Sequence, residues 1–528
     1  MPQGLQGVMD KRITEIVIVG GGTAGWLAAC VLAASANPRA DHLLSVTLIE
    51  SPDVPTIGVG EGTWPTLRRT LQRIGITESE FLLACDASFK QGSRFDGWRD
   101  GAPDDRYYHP FVPPPAGEPG DYAALWRDDD GNRPFAEFVC PQPDICALNL
   151  APRQRAMADY GGALNYAYHL DAAKLARLLT RHAKERLGVR HISDHVTGVV
   201  ADDSGDVAAV ETRNHGAVAG DLFLDCSGSA ALLIEGHYGV PFIDRSAHLF
   251  NDRALAVQVP VSPDSAIASQ TTATAHTGGW IWDIGLPARR GVGCVYASAY
   301  RSDDEAEATL RAYLAETAPW AAPDTISPRR LCFRSGYRER YWERNVLAVG
   351  QAAGFLEPLE ASAIVMIELA LDALVGNFPG TRTAMEVQAR RFNDLFRYRW
   401  ERIVEFLKLH YVLSRRPEPY WREHREAATL PARLADLLQV WKDQAPSEFD
   451  LPAASEVFPA ASYQYILYGM GFPPPAERVI AASDRDVAAQ ALRQAAQRTR
   501  SLAASLPTNR AYLDGLRETS SNAHVSTH

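Results

Sequence analysis

The stretch from Ile16 to Trp26, Ile-Val-Ile-Val-Gly-Gly-Gly-Thr-Ala-Gly-Trp, restricts the fold more than any other part of the chain. Four consecutive β-branched residues suit a strand buried on both faces, and the glycines after them demand a tight turn. A helix is expected from about Ala24. Gly20, Gly22 and Gly25 fit G-x-G-x-x-G, which lets backbone amides at a helix N-terminus approach a pyrophosphate with no Cβ in the way. A second apolar strand, Val46 to Ile49, ends at Glu50, an acid about 25 residues past the last glycine and suited to a ribose hydroxyl pair. Glycines in a buried βαβ unit can serve packing alone. Strand, turn, helix and acid together favour a dinucleotide site built from Gly20, Gly22, Thr23, Ala24, Gly25 and Glu50.

A chain of 528 residues, 46% hydrophobic, can bury a sizeable core in a two-module enzyme or in several domains. Its net charge of -11 disfavours nucleic acid or an anionic membrane surface as the main partner. The apolar window 16–34 is divided by its glycine turn, so no membrane span is expected. The first twelve residues lack an apolar signal core, and the seven cysteines have no metal-ligand spacing. A reduced, cytoplasmic protein without a metal is the expectation.

After Glu50 comes a glycine-rich segment from Thr56 to Pro65, either a surface loop or a strap able to lie against a flat ligand through Gly58, Val59 and Gly60. Residues 65 to 84 read as helix broken at Gly75. Lys90 follows, and composition alone makes it a solvated charge. Residues 100 to 143 read as a long irregular excursion, within which Tyr107-Tyr108-His109-Pro110-Phe111 gathers aromatic groups. Asp171 caps a helix, and the segments 196–201 and 207–212 form a hairpin. Leu222 to Gly228 reads as a buried strand returning to the nucleotide sheet.

Gly279-Trp-Ile-Trp-Asp-Ile284 places Trp280 and Trp282 on one face of a strand, as a core pair or as a wall beside a cofactor. Asn345 to Gly350 is a late strand that brings Gly350 and Gln351 back beside the first glycine loop. Glu360 opens the next helix, where capping alone would explain it, and Glu357 carries the same ambiguity. Helices rich in Arg, Glu and aromatics follow, with Tyr463, Tyr465 and Phe472 in the later part. A polar-faced helix spans 485–504. The expected organisation is a flavin-type module over 1–380, a helical module over 381–510 and a disordered tail over 511–528.

One dinucleotide fingerprint, a late sheet-return strand and an intact G-W-x-W-x-I motif, Gly279 to Ile284, together resemble the flavin-dependent tryptophan halogenase family. The resemblance runs from Ile16 through Lys90 and the tryptophan motif to Glu357-Pro-Leu-Glu360. It implies an α/β fold with a Rossmann-like FAD-binding flavin monooxygenase scaffold, an added antiparallel sheet and a C-terminal helical module. It also implies that reduced FAD, from a separate NADH-dependent flavin reductase, reacts with dioxygen and halide to give hypohalous acid that halogenates an electron-rich aromatic. Lys90 and Glu360 become the catalytic pair, which reverses the composition-based reading of Lys90. Trp280 and Trp282 wall off the flavin, and His109 and Phe111 match a His-x-Phe pair that sandwiches the substrate ring.

The family's Glu-Ser-Thr-Gly is replaced by Glu360-Ala361-Ser362-Ala363, where the amides of Ser362 and Ala363 are implied to hold halide. Ala363 lacks glycine's freedom at positive φ, so halide geometry is expected to differ. Gln351 stands where an aspartate contacts the flavin side chain, and Gly285 replaces a proline, so looser FAD binding is expected. Tyr463, Tyr465 and Phe472 are candidates for substrate recognition, with an indole or another aromatic as alternative to free tryptophan. Two other readings are a flavin-dependent aromatic hydroxylase and a non-catalytic flavin-binding redox protein.

Overall fold

The computed structural model describes residues 11–35, 44–54, 60–115, 119–129, 133–322, 326–453, 455–476 and 481–525. The strand Glu15–Val19 and the helix Thr23–Ser35 form the expected opening unit. A six-stranded sheet is built around them. Its order is Trp342–Glu343, Val346–Ala348, Leu222–Asp225, Glu15–Val19, Ser45–Glu50 and Arg190–Ser193, parallel except at the first pair. The strand from the middle of the chain and the late strand thus lie beside the first, so their C-terminal turns meet at one end of the sheet.

A second sheet has seven strands, and Gly279–Gly285 lies inside it, antiparallel to Thr271–His276 and Arg289–Tyr296. Its two faces bury different things. Ile281, Val257 and Leu255 pack with the helix Asp303–Thr317, whereas Trp280 and Trp282 face the main core. Trp282 lies across from Ala273 and Gly293, and a Cβ on Gly293 would stand 2.1 Å from its indole ring. Only small neighbours leave room for that ring.

A third, three-stranded sheet brings together segments far apart in sequence. Ala167–Asp171 pairs on one side with Gly60–Gly62 and on the other with Ser88–Lys90. Asp171 then caps the helix Ala172–Arg186 by accepting from the Lys174 amide.

The excursion 100–143 is more ordered than its composition suggests. It holds the strand Arg106–Pro110, which joins the seven-stranded sheet, and three helices, Pro119–Asp128, Phe135–Val139 and Gln142–Ala147. Beyond residue 380 the chain is helical, led by Arg382–Val412. The expected tail is also helical, over Asn509–Val525, because Tyr512 and Leu513 find a buried seat and Asn509 bonds both ways with Phe89. Among the described residues no helix is long and apolar enough to cross a membrane.

Candidate active site

The glycine turn forms a cradle with the shape a pyrophosphate needs. A Cβ on Gly20 would lie 2.2 Å from the Cys226 carbonyl oxygen, and one on Gly25 would lie 1.8 Å from that of Gly20. Over Gly22 the same point has no atom within 4 Å. Side chains are therefore excluded where chains touch, and the surface is open where an anion would approach the helix N-terminus at Thr23 and Ala24. The carboxyl group of Glu50 folds over Gly21 and comes within 3.2 Å of His191.

Gly350, at φ 70°, passes so close to Ala24 that a Cβ would be 2.8 Å from it. Gln351 is exposed at the same rim, its Oε1 3.9 Å from the Cβ position of Gly228. Gly285 ends its strand, and its carbonyl accepts from Ser88 at 2.6 Å. The set fits an FAD. Gly58 and Val59 lie outside the described residues, and a Cβ on Gly60 would lie 3.4 Å from Gly291 Cα.

Lys90 is buried, with 1% of its surface exposed, contrary to what composition suggests. Its Nζ lies 5.4 Å from the Phe111 ring centroid and 3.1 Å from the Cβ position of Gly62. That same point is 3.5 Å from Ala361 and 3.5 Å from Thr271 Oγ1, and Thr271 in turn meets His169 Nε2 at 2.9 Å. Burial lowers the Lys90 pKa from 10.5 to about 8, against the raising influence of Glu360. The ammonium thus prevails at neutral pH.

Glu360 is the middle residue of the short turn Leu359–Ala361, where Glu360 and Ala361 hold φ values of 63° and 55°. Two consecutive non-glycine residues in the left-handed region store backbone strain, a feature that clusters at functional sites. The turn is pinned by Trp64, whose Nε1 donates to the Glu360 carbonyl at 2.8 Å. A helix, Ser362–Gly376, starts immediately afterwards. Ala363 is therefore in ordinary right-handed helix. The positive φ values fall at Glu360 and Ala361 and not at Ala363. Ser362 and Ala363 lie in the first helical turn, whose amides have no intrahelical acceptor.

Two imidazoles converge on one oxygen of Glu360. His109 Nδ1 meets Oε1 at 2.8 Å and His410 Nε2 approaches it at 3.4 Å. Each ring is fixed from behind: Ser462 Oγ meets His109 Nε2 at 2.9 Å and Tyr107 hydroxyl meets His410 Nδ1 at 2.7 Å. Both contacts are satisfied when each hydroxyl donates, which leaves each imidazole to present its other N–H to the carboxylate. Burial would raise the Glu360 pKa, but His109 and then His410 more than offset it and hold it well below the usual carboxylate range. Among the described residues no ion pair within 4 Å joins Glu360 to Lys90, so the pair interacts through space.

An aromatic cluster adjoins these groups. Phe111 lies 6.3 Å from Trp64, which lies 4.9 Å from Phe458, which stacks on Phe406 at 3.7 Å. His109 is 6.4 Å from both Phe458 and Tyr465. Tyr465 hydroxyl donates to the Val112 carbonyl at 2.8 Å. Tyr463 turns toward Phe406 and Trp441, and no ring contact links Phe472 to this cluster among the described residues. The sequence reading missed Phe458, Phe406, His410 and Ser462, which come from segments with no shared motif, and it had Tyr107 only as part of an aromatic cluster.

Trp280 completes the neighbourhood. Its Nε1 donates to Glu357 Oε2 at 3.0 Å, and Tyr411 hydroxyl and Asn251 amide reach the same oxygen at 2.6 Å each. Trp282 lies 6.4 Å from Trp280.

The model of the tryptophan halogenase family matches residues 15–485. The chain belongs to the tryptophan halogenase family. The 7-chloro-L-tryptophan 6-halogenase KtzR of Kutzneria sp. (strain 744) is 34% identical over 95% of this chain and 99% of its own length. The tryptophan 7-halogenase RebH of Lentzea aerocolonigenes is also 34% identical, over 89% and 91%. A crystal structure of a tryptophan halogenase from Shewanella frigidimarina superposes with a TM-score of 0.93 at 46% identity, covering 97% of this chain and 99% of that one. The protein is accordingly a flavin-dependent halogenase on a Rossmann-like FAD-binding scaffold.

Proposed function

We propose that this halogenase uses FADH2, dioxygen and bromide or chloride to halogenate an electron-rich aromatic such as an indole, with Lys90 and Glu360 as its catalytic pair. A separate NADH-dependent flavin reductase supplies the FADH2, and the protein works in the cytoplasm. The observation that carries this reading is a buried ammonium and a buried carboxylate, held ionised by opposite means, beside one aromatic cluster. Bound FADH2 supplies, with dioxygen and halide, a hypohalous acid.

The chain does the rest. Lys90 hydrogen-bonds the hypohalous acid and hands a proton to its oxygen as the aromatic carbon takes the halogen, so the oxygen leaves as water. Glu360 receives the proton then lost by the ring. Its Oε1 is engaged by His109 and His410, so Oε2 is the oxygen assigned to this task. Trp280 and Trp282 keep the substrate from the flavin. Phe111 and Phe458 wall the ring, with about 0.5–1.5 kcal/mol per aromatic pair beyond simple burial. His109 contributes as much by clamping Glu360 as by flanking the ring, and Tyr465 borders it. The amides of Ser362 and Ala363 offer halide a helix N-terminus.

Relatives of equal identity are named for positions 6 and 7 of tryptophan, so regiochemistry is set by side chains in the cluster and not by overall similarity. The test is mass spectrometry of indole and tryptophan incubated aerobically with the protein, FAD, a flavin reductase, NADH and either bromide or chloride, beside Lys90→Ala. A halogen isotope pattern lost in the variant supports the reading. Addition of oxygen without halogen would replace it with hydroxylation.

A further inference from the structure

From the tryptophan motif a continuous run of oxidisable rings leads away, and beyond Trp282 and Trp280 halogenation does not use it. From Trp282 it passes to Trp280 at 6.4 Å and to Trp98 at 6.1 Å. Trp98 touches both Tyr411 and Trp421 at 5.4 Å. Both branches rejoin at Tyr420, 6.2 Å from Tyr411 and 5.1 Å from Trp421, and Tyr420 lies 5.5 Å from Tyr300. Each ring on the way is tryptophan or tyrosine. The first rings are buried, Tyr300 is half-buried, and its hydroxyl donates at 2.5 Å to Glu423, which is exposed.

We propose that this run is a protective electron relay, which refills an oxidised Trp282 from the protein surface through Trp280, Trp98, Tyr420 and Tyr300. The inference rests on the reading of Trp282 as the flavin's neighbour. The oxidant is a halogen- or oxygen-centred radical formed as a by-product beside Trp282, and it takes one electron from that indole. Each ring is then refilled by the next. Tyr300 loses the last electron, and its phenolic proton passes to Glu423. A dissolved thiol returns the electron and the proton, itself ending as disulfide. The net reaction is reduction of the radical at the expense of a thiol.

Hydrogen-bond chemistry along the run favours arrival at Tyr300. Trp98 Nε1 donates to the Ala273 carbonyl, Trp421 Nε1 to the His276 carbonyl and Tyr420 hydroxyl to Asn251, acceptors that cannot take up a proton. Trp280 and Tyr411 both donate to Glu357 Oε2, an oxygen that the Asn251 amide also occupies and that is sealed from solvent. Glu423 is the first exposed carboxylate that the deficit meets, so the neutral tyrosyl radical forms there.

The test uses the protein with oxidised FAD under blue light, where the excited flavin is the one-electron oxidant, with a nitroso spin trap and peptide mass spectrometry. A trap adduct is expected on Tyr300, falling at least tenfold in Trp98→Phe and in Tyr420→Phe while flavin emission stays equally quenched. Tyr300→Phe is expected to keep its initial halogenation rate and to lose several-fold in total turnovers before inactivation. Adducts confined to Trp282 and Trp280, or a Tyr300 adduct indifferent to both blocking variants, would overturn the relay and leave halogenation standing. Flavin emission unchanged by Trp282→Phe would overturn the entrance of the relay, and the flavin-wall reading with it. Loss of halogenated product in every assay would instead count against the proposed function.

Discussion

Glu357 and Glu360 share one short segment and both are buried, yet their protonation is driven in opposite directions. Burial pushes both pKa values up. At Glu357 the donors are an indole, a phenol and an amide, which soften the rise without cancelling it. At Glu360 the donors are two imidazoles, and they hold the carboxyl ionised. Depth in the protein therefore does not decide charge; the kind of partner does. The first carboxyl is suited to holding neighbours in place, the second to standing ionised in the interior.

The sharpest way to break the comparison is to neutralise each group by the same change. Glu360→Gln is expected to lower halogenation by roughly 10²–10⁴-fold, the usual range for loss of a general base, whereas Glu357→Gln stays within severalfold of wild type. Equal losses in a product assay by mass spectrometry would erase the distinction. Glu357→Leu, by contrast, strands three buried donors and is expected to cost about 3 kcal/mol or more in a denaturant melt.

Lys90 sharpens the contrast from the opposite charge. Its folded pKa, about 8, is below the ordinary 10.5, so between those values the unfolded chain holds more protons and stability rises with pH. Below that window the buried ammonium is a standing cost. Lys90→Met is therefore expected to abolish halogenation and to raise stability at pH 7 by roughly 2–3 kcal/mol at most. If the ammonium is the working form, single-turnover halogenation falls as pH rises through about 8, and this limb disappears in Lys90→Arg.

His410→Phe removes the imidazole whose Nε2 stands 3.4 Å from Glu360 Oε1. The Glu360 pKa should rise, and the acidic limb of the pH–rate profile should move upward with it, by about a unit for one lost charge-assisted contact. The smallest effects separate the two alanines that replace the family's residues. Ala361→Gly relieves a positive φ and is expected to stabilise by about 0.4–1 kcal/mol, while Ala363→Gly, inside a helix, destabilises by about as much.

Much of this was readable before the structure. The strand, glycine turn and helix at Ile16 to Trp26 are local, and so is the alternation that puts Trp280 and Trp282 on one face. The clamp on Glu360 was not. His109, His410 and Ser462 come from a sheet strand and two helices, and only tertiary packing brings the two rings to one oxygen and the hydroxyl behind His109. Phe458 was hidden because it stands in an irregular segment with no period to read. The left-handed Glu360 and Ala361 gave no signal in the sequence, because neither residue type ordinarily marks a positive φ. The C-terminal helix was missed because its polar composition conceals the few residues, Tyr512 and Leu513, that anchor it.

The three-stranded sheet carries one last consequence. The strand leaving the glycine strap, Gly60–Gly62, and the strand bearing Lys90 are hydrogen-bonded to opposite edges of Ala167–Asp171. Displacement of either is transmitted to the other through a single ribbon. By thermodynamic reciprocity, any strap position that favours one placement of the lysine is itself favoured by that placement to the same degree. The strand after the strap and the strand bearing the lysine thus share one partner, so a change that moves Ala167–Asp171 reaches both.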